Sequence, residues 1–238
     1  MKTVLITGAS GGIGAATARI FAENGYRVAL NYHQSQEDAL SLEKELGEAA
    51  FAVKADVSDS AQVKNMFSTV YKRFGGIDVL INNAGIAEFS LFTDITDEQW
   101  HRMFGINVDG CFYCCREALP YMISQKSGAI VNISSIWGIT GGSCEVHYSA
   151  AKAAVIGLTK ALAKEVGPSG ITVNCIAPGV IDTKMNRGLS DEDVAGLIDE
   201  TPLQKLGTTS DIAKAALFLA ESEFITGQIL SPNGGFVI

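Results

Sequence analysis

Short apolar runs rich in β-branched residues alternate with helix-patterned segments along almost the whole chain. Strands that are apolar throughout have both faces buried, which is typical of a parallel sheet with helices on both sides. The alternation predicts an α/β fold, a single doubly wound domain over residues 1–238 with about seven strands. The predicted strands are 3–7, 26–32, 50–54, 79–82, 129–134, 171–176 and 228–230, and the predicted helices are 14–24, 36–46, 60–74, 96–118, 148–166 and 210–219.

One polar stretch, residues 183–207, interrupts this alternation directly after the sixth predicted strand. It contains Gly188 and Pro202, and its pattern predicts a short helix on an insertion. Ligands of open α/β sheets bind beyond the carboxyl ends of the strands. An insertion at this point is therefore placed to act as a substrate lid, although a plain surface excursion also fits the sequence.

The composition argues against several classes of partner and site. With 26 acidic and 18 basic residues, the chain carries a net charge of −8, which disfavours nucleic acid and anionic membranes. The N-terminal apolar run is too short for a signal peptide and no run is long enough to span a bilayer, so we expect a cytoplasmic protein. The five cysteines lack metal-ligand spacing, which predicts reduced thiols and no metal site.

A glycine-rich turn, Thr7–Gly14, links the first strand to the first helix. Glycines allow a tight turn and a close approach of the backbone to a pyrophosphate, which the N–H groups and dipole of the helix N-terminus stabilise. The spacing Gly8-x3-Gly12-x-Gly14 differs from the commonest fingerprint. Its place between a strand and a helix nevertheless predicts a Rossmann-type dinucleotide site.

The end of the second strand reads Asn31-Tyr32-His33-Gln34-Ser35 and has no carboxylate. NAD enzymes usually place Asp or Glu here to bind the ribose 2′-hydroxyl, and a carboxylate would repel the 2′-phosphate of NADP. Asn, His, Gln and Ser can donate hydrogen bonds to phosphate oxygens, but the segment has no Arg. The sequence therefore favours NADP(H) by a modest margin and leaves NAD possible.

Tyr148 and Lys152 are four positions apart at the start of the longest predicted helix, which places them on one face. A free phenol is a poor acid or base at neutral pH, and a neighbouring ammonium is expected to lower its pKa. Ser135, at the end of the fifth strand, is placed to bind a substrate oxygen. Such a Tyr/Lys pair is common on amphipathic helices, so by itself it is weak evidence for an active site and needs support from other motifs of the sequence.

With these motifs in place, the chain resembles the short-chain dehydrogenase/reductase family from end to end. The matching segments occur in the family's order: Thr7–Gly14, Asp56-Val57, Asn82-Asn83-Ala84-Gly85, Asn107, Ser135, Tyr148 with Lys152, and Pro178-Gly179. The resemblance implies an NAD(P)(H)-dependent oxidoreductase acting on carbonyl or alcohol groups.

The resemblance also implies a role for each matching residue. Tyr148 would deliver a proton to the carbonyl oxygen, Lys152 would bind the nicotinamide ribose and lower the Tyr148 pKa, and Ser135 would orient the carbonyl. Asn107 would hold a water that relays protons to Lys152, and Ser134 is the alternative to Ser135. Besides Tyr148 and Lys152, the implied cofactor-binding residues are Gly8, Ser10, Gly11, Gly12, Ile13, Gly14, Asn31, Tyr32, His33, Asp56, Val57, Asn83, Ala84, Gly85, Pro178, Gly179, Ile181 and Thr183.

Within the family the chain is similar to bacterial 3-oxoacyl-(acyl-carrier-protein) reductases, which implies a ketone substrate, carrier-bound or small, and a place in fatty acid biosynthesis. Two features depart from that group. Gly11 stands where NADP-dependent members often have Arg. Reductases of acidic carrier proteins usually have basic residues near the pocket, and this chain has Lys126 before the fifth strand but Pro168-Ser169 before the sixth.

Ser134–Gly138 and Ser143–Tyr148 also resemble the reductases that act on aminopentanone-modified elongation factor P. Glu145 lies about one helical turn before Tyr148, where a carboxylate could pair with a substrate amine. A solvated or helix-N-terminal carboxylate is the alternative. Trp137 either lines the pocket or packs in the core, and we expect His147 to be exposed or packed and not catalytic.

Two further function classes stay open on the sequence alone. One is an NAD-linked alcohol or steroid dehydrogenase, and the other is a nucleotide-sensing scaffold without catalysis, which generally loses the Tyr or the Lys. The resemblance also implies a homotetramer that pairs the long helices and the C-terminal segments. The small residues Ala150, Ala151, Ala154, Gly157 and Ala161 and the apolar end Phe236-Val237-Ile238 suit such contacts.

Overall fold

The structure, a computed structural model, describes residues 1–183 and 190–238. The predicted lid therefore lies partly outside the described residues, because positions 184–189, Gly188 among them, are not described. The strands are β1 (Thr3–Ile6), β2 (Arg27–Tyr32), β3 (Ala50–Lys54), β4 (Val79–Asn82), β5 (Gly128–Ile133), β6 (Ile171–Ile176) and β7 (Ile229–Leu230). The α-helices are α1 (Gly12–Glu23), α2 (Gln36–Leu46), α3 (Ser60–Phe74), α4 (Asp97–Phe104), α5 (Gly110–Gln125), α6 (Trp137–Thr140), α7 (Val146–Val166), α8 (Asp191–Glu200) and α9 (Thr209–Glu221).

The strands form one parallel sheet in the order β3-β2-β1-β4-β5-β6-β7, as the apolar pattern predicts. From β1 the chain winds outward to β2 and β3 on one side, and then returns to place β4 on the other side of β1. The loops after β1 and β4 therefore diverge from the same point of the sheet. In doubly wound sheets this switch point is where ligands bind.

Two layers of helices cover the sheet because alternate strand residues point to opposite faces. On one face, Leu5, Leu80 and Ile130 pack with apolar side chains of α3, α5 and α7. On the other face, Ile6 and Ile81 pack with side chains of α1 and α9. The core thus holds the carboxyl ends of β1, β4 and β5 rigidly side by side. None of the helices within the described residues has the length and apolar character to cross a membrane.

Local capping explains where several helices begin and end. Asp59 accepts hydrogen bonds from the backbone N–H groups of Ala61 and Gln62 at the start of α3, and Gly75 ends that helix with a φ of +82°. Thr96 and Gln99 form a reciprocal capping box at the start of α4. Thr208 and Asp211, and likewise Ser190 and Asp193, do the same for α9 and α8.

The segment predicted as one helix over 96–118 differs from the prediction in two ways. A π-helical turn at Gly105–Asp109 separates α4 from α5. The second helix then continues through Pro120 to Gln125, where Lys126 ends it in the left-handed conformation. Apolar periodicity does not register a single wide turn, and such turns are frequent at functional sites. Within the predicted insertion, α8 is the expected short helix, and a bridge between Ile181 and Gly207 closes its base.

Candidate active site

A cavity of about 1140 Å³ opens at the carboxyl ends of the central strands. It begins at the glycine turn, passes the loop after β4, and reaches the ends of β5 and β6 before it meets α8. Most of the residues that the sequence singles out line it: Gly8, Ser10, Gly11, Gly12, Ile13, Asn83, Ala84, Gly85, Ser135, Tyr148, Lys152, Pro178, Gly179, Ile181 and Thr183. The volume exceeds that of an ordinary small-molecule site, so it suits a large cofactor together with a substrate.

The glycine turn is packed so closely that side chains are excluded at two positions. A Cβ on Gly14 would lie 2.3 Å from the carbonyl oxygen of Gly8, and a Cβ on Gly8 would lie 2.9 Å from Cα of Ala84. Asn83 locks the turn by donating from Nδ2 to the carbonyl oxygens of Thr7 and Gly8, both at 3.0 Å. No side chain caps α1 at Gly11. The first N–H groups of α1 therefore form a site for an anion such as a pyrophosphate.

Of the segment predicted to bind the adenosine ribose, Ser35 lines the main cavity, whereas Asn31, Tyr32 and His33 do not, and neither do Asp56 and Val57. Asn31 is buried, and its Oδ1 accepts the N–H of Gly8 at 3.3 Å while its Nδ2 donates to the carbonyl oxygen of Ala55 at 3.1 Å. Its amide thus shapes the turn from behind. His33 is half exposed, with Nε2 3.7 Å from Oδ2 of Asp56. The sequence motif locates these residues, but it does not indicate that the Asn31 side chain forms its hydrogen bonds with the protein's own backbone.

Three polar side chains meet in the middle of the cavity wall. Tyr148 and Lys152 lie one turn apart on the buried face of α7, and Nζ of Lys152 is 5.5 Å from the centre of the Tyr148 ring. Nζ also donates to the carbonyl oxygen of Ile133 at 3.1 Å, which fixes the ammonium at the end of β5. Ser135 lines the same wall, and its hydroxyl acts to lower the pKa of Tyr148. The hydroxyl of Ser134 instead donates to the carbonyl oxygen of Lys152 at 2.8 Å, which favours Ser135 over Ser134 as the serine predicted to bind a substrate oxygen.

Burial sets the protonation of this group. It raises the pKa of Tyr148 to about 12, which the hydrogen bond with Ser135 partly opposes. It lowers the pKa of Lys152 to about 8. The sequence predicts a lowered Tyr148 pKa from the neighbouring ammonium, and the structure differs because desolvation of the phenolate is the larger effect. A phenol that keeps its proton at neutral pH is suited to donate it, which is the direction that carbonyl reduction needs.

Asn107 lies behind this group in the π turn. Its Nδ2 donates to the carbonyl oxygens of Ile86 and Met103, each at 3.0 Å, so the direction of its amide is fixed. A Cβ placed on Gly85 would lie 2.5 Å from Oδ1 of Asn107 and 3.2 Å from Nζ of Lys152. Both polar atoms therefore border the same small space, which only a glycine at position 85 leaves open.

Glu145 is the position where the two interpretations of the sequence differ most. It precedes α7, as a helix-N-terminal residue, but only 7% of it is exposed, so it is not a solvated carboxylate. Glu145 lines the cavity together with Tyr148 and Trp137. Burial raises the pKa of its carboxyl group, and a hydrogen bond with Trp137 partly opposes this effect. Trp137 also packs edge-to-face on Phe236. His147 is fully buried, as one of the two expected alternatives.

Several residues of the cavity wall carry no sequence motif. Phe89 follows the Asn83–Gly85 loop, Asp38 lies in α2, and Glu192, Asp193 and Glu200 line the cavity from α8. The insertion after the sixth strand is predicted from its position to border the site, and α8 lines the cavity. No motif, however, marks the three acidic residues of α8 as part of the wall.

Comparisons with known proteins match nearly the whole chain. A family model described as enoyl-(acyl carrier protein) reductase matches residues 8–237. The 3-oxoacyl-[acyl-carrier-protein] reductase FabG of Staphylococcus aureus is 43% identical over 98% of this chain and 97% of its own length. The proteins of the same name from Staphylococcus epidermidis and Chlamydia muridarum are 41% and 42% identical, over 98% of this chain in each case and over 98% and 96% of their own lengths.

Proposed function

Because the chain belongs to the short-chain dehydrogenase/reductase family and is an oxidoreductase acting on carbonyl or hydroxyl groups, we propose that it reduces a ketone with NADPH. The proposed substrate is a 3-oxoacyl thioester on a carrier protein, as the names of the relatives suggest. The observation that carries the proposal is the trio of Ser135, Tyr148 and Lys152 at the centre of the cavity wall. A site with this trio has the acid that a ketone reduction requires.

The residues present fit a nicotinamide dinucleotide, the cofactor class of this family. The packed Gly8 and Gly14 leave the backbone open to a pyrophosphate at the N-terminus of α1. The same cavity continues from this turn past Asn83–Gly85 and Pro178–Ile181, and Tyr148 also lines it. Such a cofactor supplies hydride to the carbonyl carbon. We propose NADPH as the preferred form because no carboxylate ends β2, with a small margin because Asp38 lines the same end of the cavity.

The chain's own residues then account for the remaining steps. Ser135 donates a hydrogen bond to the ketone oxygen and orients it toward Tyr148. Tyr148, protonated at neutral pH, gives its proton to that oxygen as the alkoxide forms. The Lys152 ammonium stabilises the resulting phenolate electrostatically, and its hydrogen bond to Ile133 holds it in place. We propose that Asn107, whose Oδ1 borders the same space beside Gly85 as Nζ of Lys152, lies on the path by which Lys152 is supplied with protons.

The test of this function is steady-state reduction of one 3-oxoacyl group presented on acyl carrier protein and on a short pantetheine thioester, each with NADPH and NADH. We expect turnover of both thioesters and a preference for NADPH of about tenfold, roughly one charge-assisted hydrogen bond to a phosphate. A clear preference for NADH would show that the Asn31–Ser35 segment does not read the 2′-phosphate. No turnover of either thioester would contradict the proposed substrate.

We also propose a homotetramer with a cytoplasmic location, with the predicted lid over the substrate end of the cavity. Gly157 and Ala161 are exposed on α7, where small side chains permit close helix packing. Ile238 is fully exposed at the end of the chain, and Phe112 is exposed on α5. These surfaces support subunit contacts of the kind that the family resemblance implies.

A second candidate function is reduction of a ketone that carries an amine, as on modified elongation factor P. The observation in its favour is the charge of the cavity. Its described wall has one ammonium, Lys152, and the carboxylates of Asp38, Glu145, Glu192, Asp193 and Glu200. Among the described residues, none of the ion pairs includes Glu145. A buried carboxylate of this kind favours a cationic ligand.

Glu145→Gln separates the two candidates. We expect an amine-bearing ketone to lose about ten- to a hundredfold in kcat/KM relative to its neutral isostere, the range for a charge-assisted hydrogen bond. Turnover of the neutral thioester should change little. Glu200→Gln, an exposed carboxylate of the same wall, is the matched control and should leave the preference intact. Equal losses on both ketones would assign Glu145 a structural role at the start of α7.

A further inference from the structure

A second, interior cavity lies behind the catalytic residues. Its volume is about 10 Å³, which corresponds to about one water molecule. Asn82 at the end of β4 and Asn107 in the π turn border it, together with Ile133, Cys111 and Val155. Ile133, whose carbonyl oxygen accepts a hydrogen bond from Nζ of Lys152, borders both this cavity and the main one.

Two buried oxygen atoms at this cavity lack a hydrogen-bond donor among the described residues. They are Oδ1 of Asn82 and Oδ1 of Asn107, and the two residues are 6% and 3% exposed. Leaving a buried amide oxygen unpaired is costly, so native proteins rarely contain two such residues at one cavity.

The amide orientations are fixed by the donors on the other side of each group. Nδ2 of Asn82 donates to Oδ1 of Asn132 at 2.8 Å. Nδ2 of Asn107 donates to the carbonyl oxygens of Ile86 and Met103. Flipping either amide would break these bonds and set oxygen against oxygen, so the two Oδ1 atoms are the groups left to satisfy.

We propose that this cavity binds one internal water that donates its two O–H groups to Oδ1 of Asn82 and Oδ1 of Asn107. One water molecule has two O–H donors, which match the two unpaired acceptor oxygens. The cavity has room for one water molecule. Asn82 thereby becomes a positioning residue, because it acts on the active site through the water and Asn107.

The link to catalysis runs through Gly85. Oδ1 of Asn107 and Nζ of Lys152 both border the space that a Cβ on Gly85 would fill. A water bound to Oδ1 of Asn107 adds a hydrogen bond to the amide that forms one wall of this space, which the proposed mechanism uses to resupply Lys152 with protons. This role rests on the proposed function, whereas the water site itself does not.

The site is tested first by a crystal structure of the full chain at a resolution that shows ordered water. We expect one peak within hydrogen-bond distance of both Oδ1 atoms. A dry cavity, or a water bound to only one of them, would overturn the proposal. A water at this place in a protein that reduces no ketone would leave the site standing and contradict the proposed function instead.

The positioning role is tested by comparing Asn82→Ser with Asn132→Ser. Both variants break the Asn82–Asn132 hydrogen bond, but only the first removes the oxygen that faces the cavity. We expect Asn82→Ser to lower kcat about tenfold, a part of what general acid–base catalysis contributes, with unchanged KM values and a larger solvent deuterium isotope effect. Asn132→Ser should keep the isotope effect of the unmodified enzyme. Equal isotope effects in the two variants would show that Asn82 is only structural.

Val155→Ile covers the case in which Asn82→Ser fails to fold. Val155 borders the cavity, and one more methylene at this position fills it while both amides remain. We expect the water to be lost in the crystal structure and the solvent isotope effect on kcat to rise. A filled cavity with unchanged kinetics would overturn the positioning role.

Discussion

Tyr148 combines deep burial with contacts to Ser135 and Lys152, and its proton is the one that the proposed reaction consumes. Tyr148→Phe removes the hydroxyl and keeps the ring. We expect kcat for ketone reduction to fall by at least about a hundredfold, the usual contribution of a positioned acid. Cofactor affinity, measured by fluorescence titration, should change little.

Two comparisons make the Tyr148 result specific. Tyr113→Phe is the control, because it removes a phenol hydroxyl from α5, away from the main cavity wall. Near-normal turnover by Tyr148→Phe would contradict the mechanism, since another group would then have to donate the proton.

At the same scale, the identity of the catalytic residues could be predicted from the sequence but their electrostatics could not. The positions of Tyr148 and Lys152 follow from helical spacing, and the structure brings them together with Ser135. Their pKa directions depend on how completely neighbouring elements exclude water, which no spacing reveals. The same holds for Glu145, because its place just before α7 does not reveal the burial that raises its pKa.

The strand–turn–helix element around β1 and α1 provides a stability test. In Gly14→Ala the new Cβ would lie 2.3 Å from the Gly8 carbonyl oxygen and 2.7 Å from Nδ2 of Asn83. The turn must open to accommodate it, so we expect a loss of about 1–3 kcal/mol in the free energy of unfolding, the usual cost of overpacking. Urea denaturation measures it, and cofactor affinity should fall in parallel.

Gly11→Ala is the matched control for this element. A Cβ on Gly11 meets nothing within 4 Å, and the residue has an extended φ of −168°. We expect a loss below about 1 kcal/mol, which reflects only the weaker N-cap preference of Ala. Similar losses in the two variants would show that the close packing at Gly14 does not govern the turn.

Elements that end at strong local signals could be predicted from the sequence, and those that depend on packing could not. The helix Ser60–Phe74 has its predicted bounds because Asp59 caps it and Gly75 ends it. The π turn at Gly105–Asp109 interrupts a segment whose periodicity predicts one helix, and Asn107 gains its position from that turn. α4, the π turn and α5 all contact α7, and no local sequence pattern records such contacts.

For the whole molecule, the order of the strands determines which loops can share a site. The glycine turn follows β1 and the Asn83–Gly85 loop follows β4, and these strands are neighbours although far apart in the chain. The hydrogen bonds from Asn83 to Thr7 and Gly8 join the two loops directly. The single sheet, packed between two layers of helices, thus holds a cavity in whose wall Lys152 is buried.

The burial of Lys152 is testable through pH. Its folded-state pKa of about 8 is below the 10.5 of a free lysine. Between these values the unfolded chain binds more protons, so stability rises with pH there, and below pH 8 the folded protein carries the full cost of a buried ammonium.

Lys152→Met removes this cost, at most about 3 kcal/mol, but also the hydrogen bond to Ile133, about 1 kcal/mol. We therefore expect the variant to be inactive yet about 1–3 kcal/mol more stable at pH 7 in urea denaturation, with the advantage shrinking as the pH rises from 8 to 10.5. Lys160→Met, an exposed position on the same helix, should show no such pH dependence. A stability advantage that does not shrink over this pH range, or a variant that is less stable at pH 7, would show that burial does not lower the pKa of Lys152 in the folded protein.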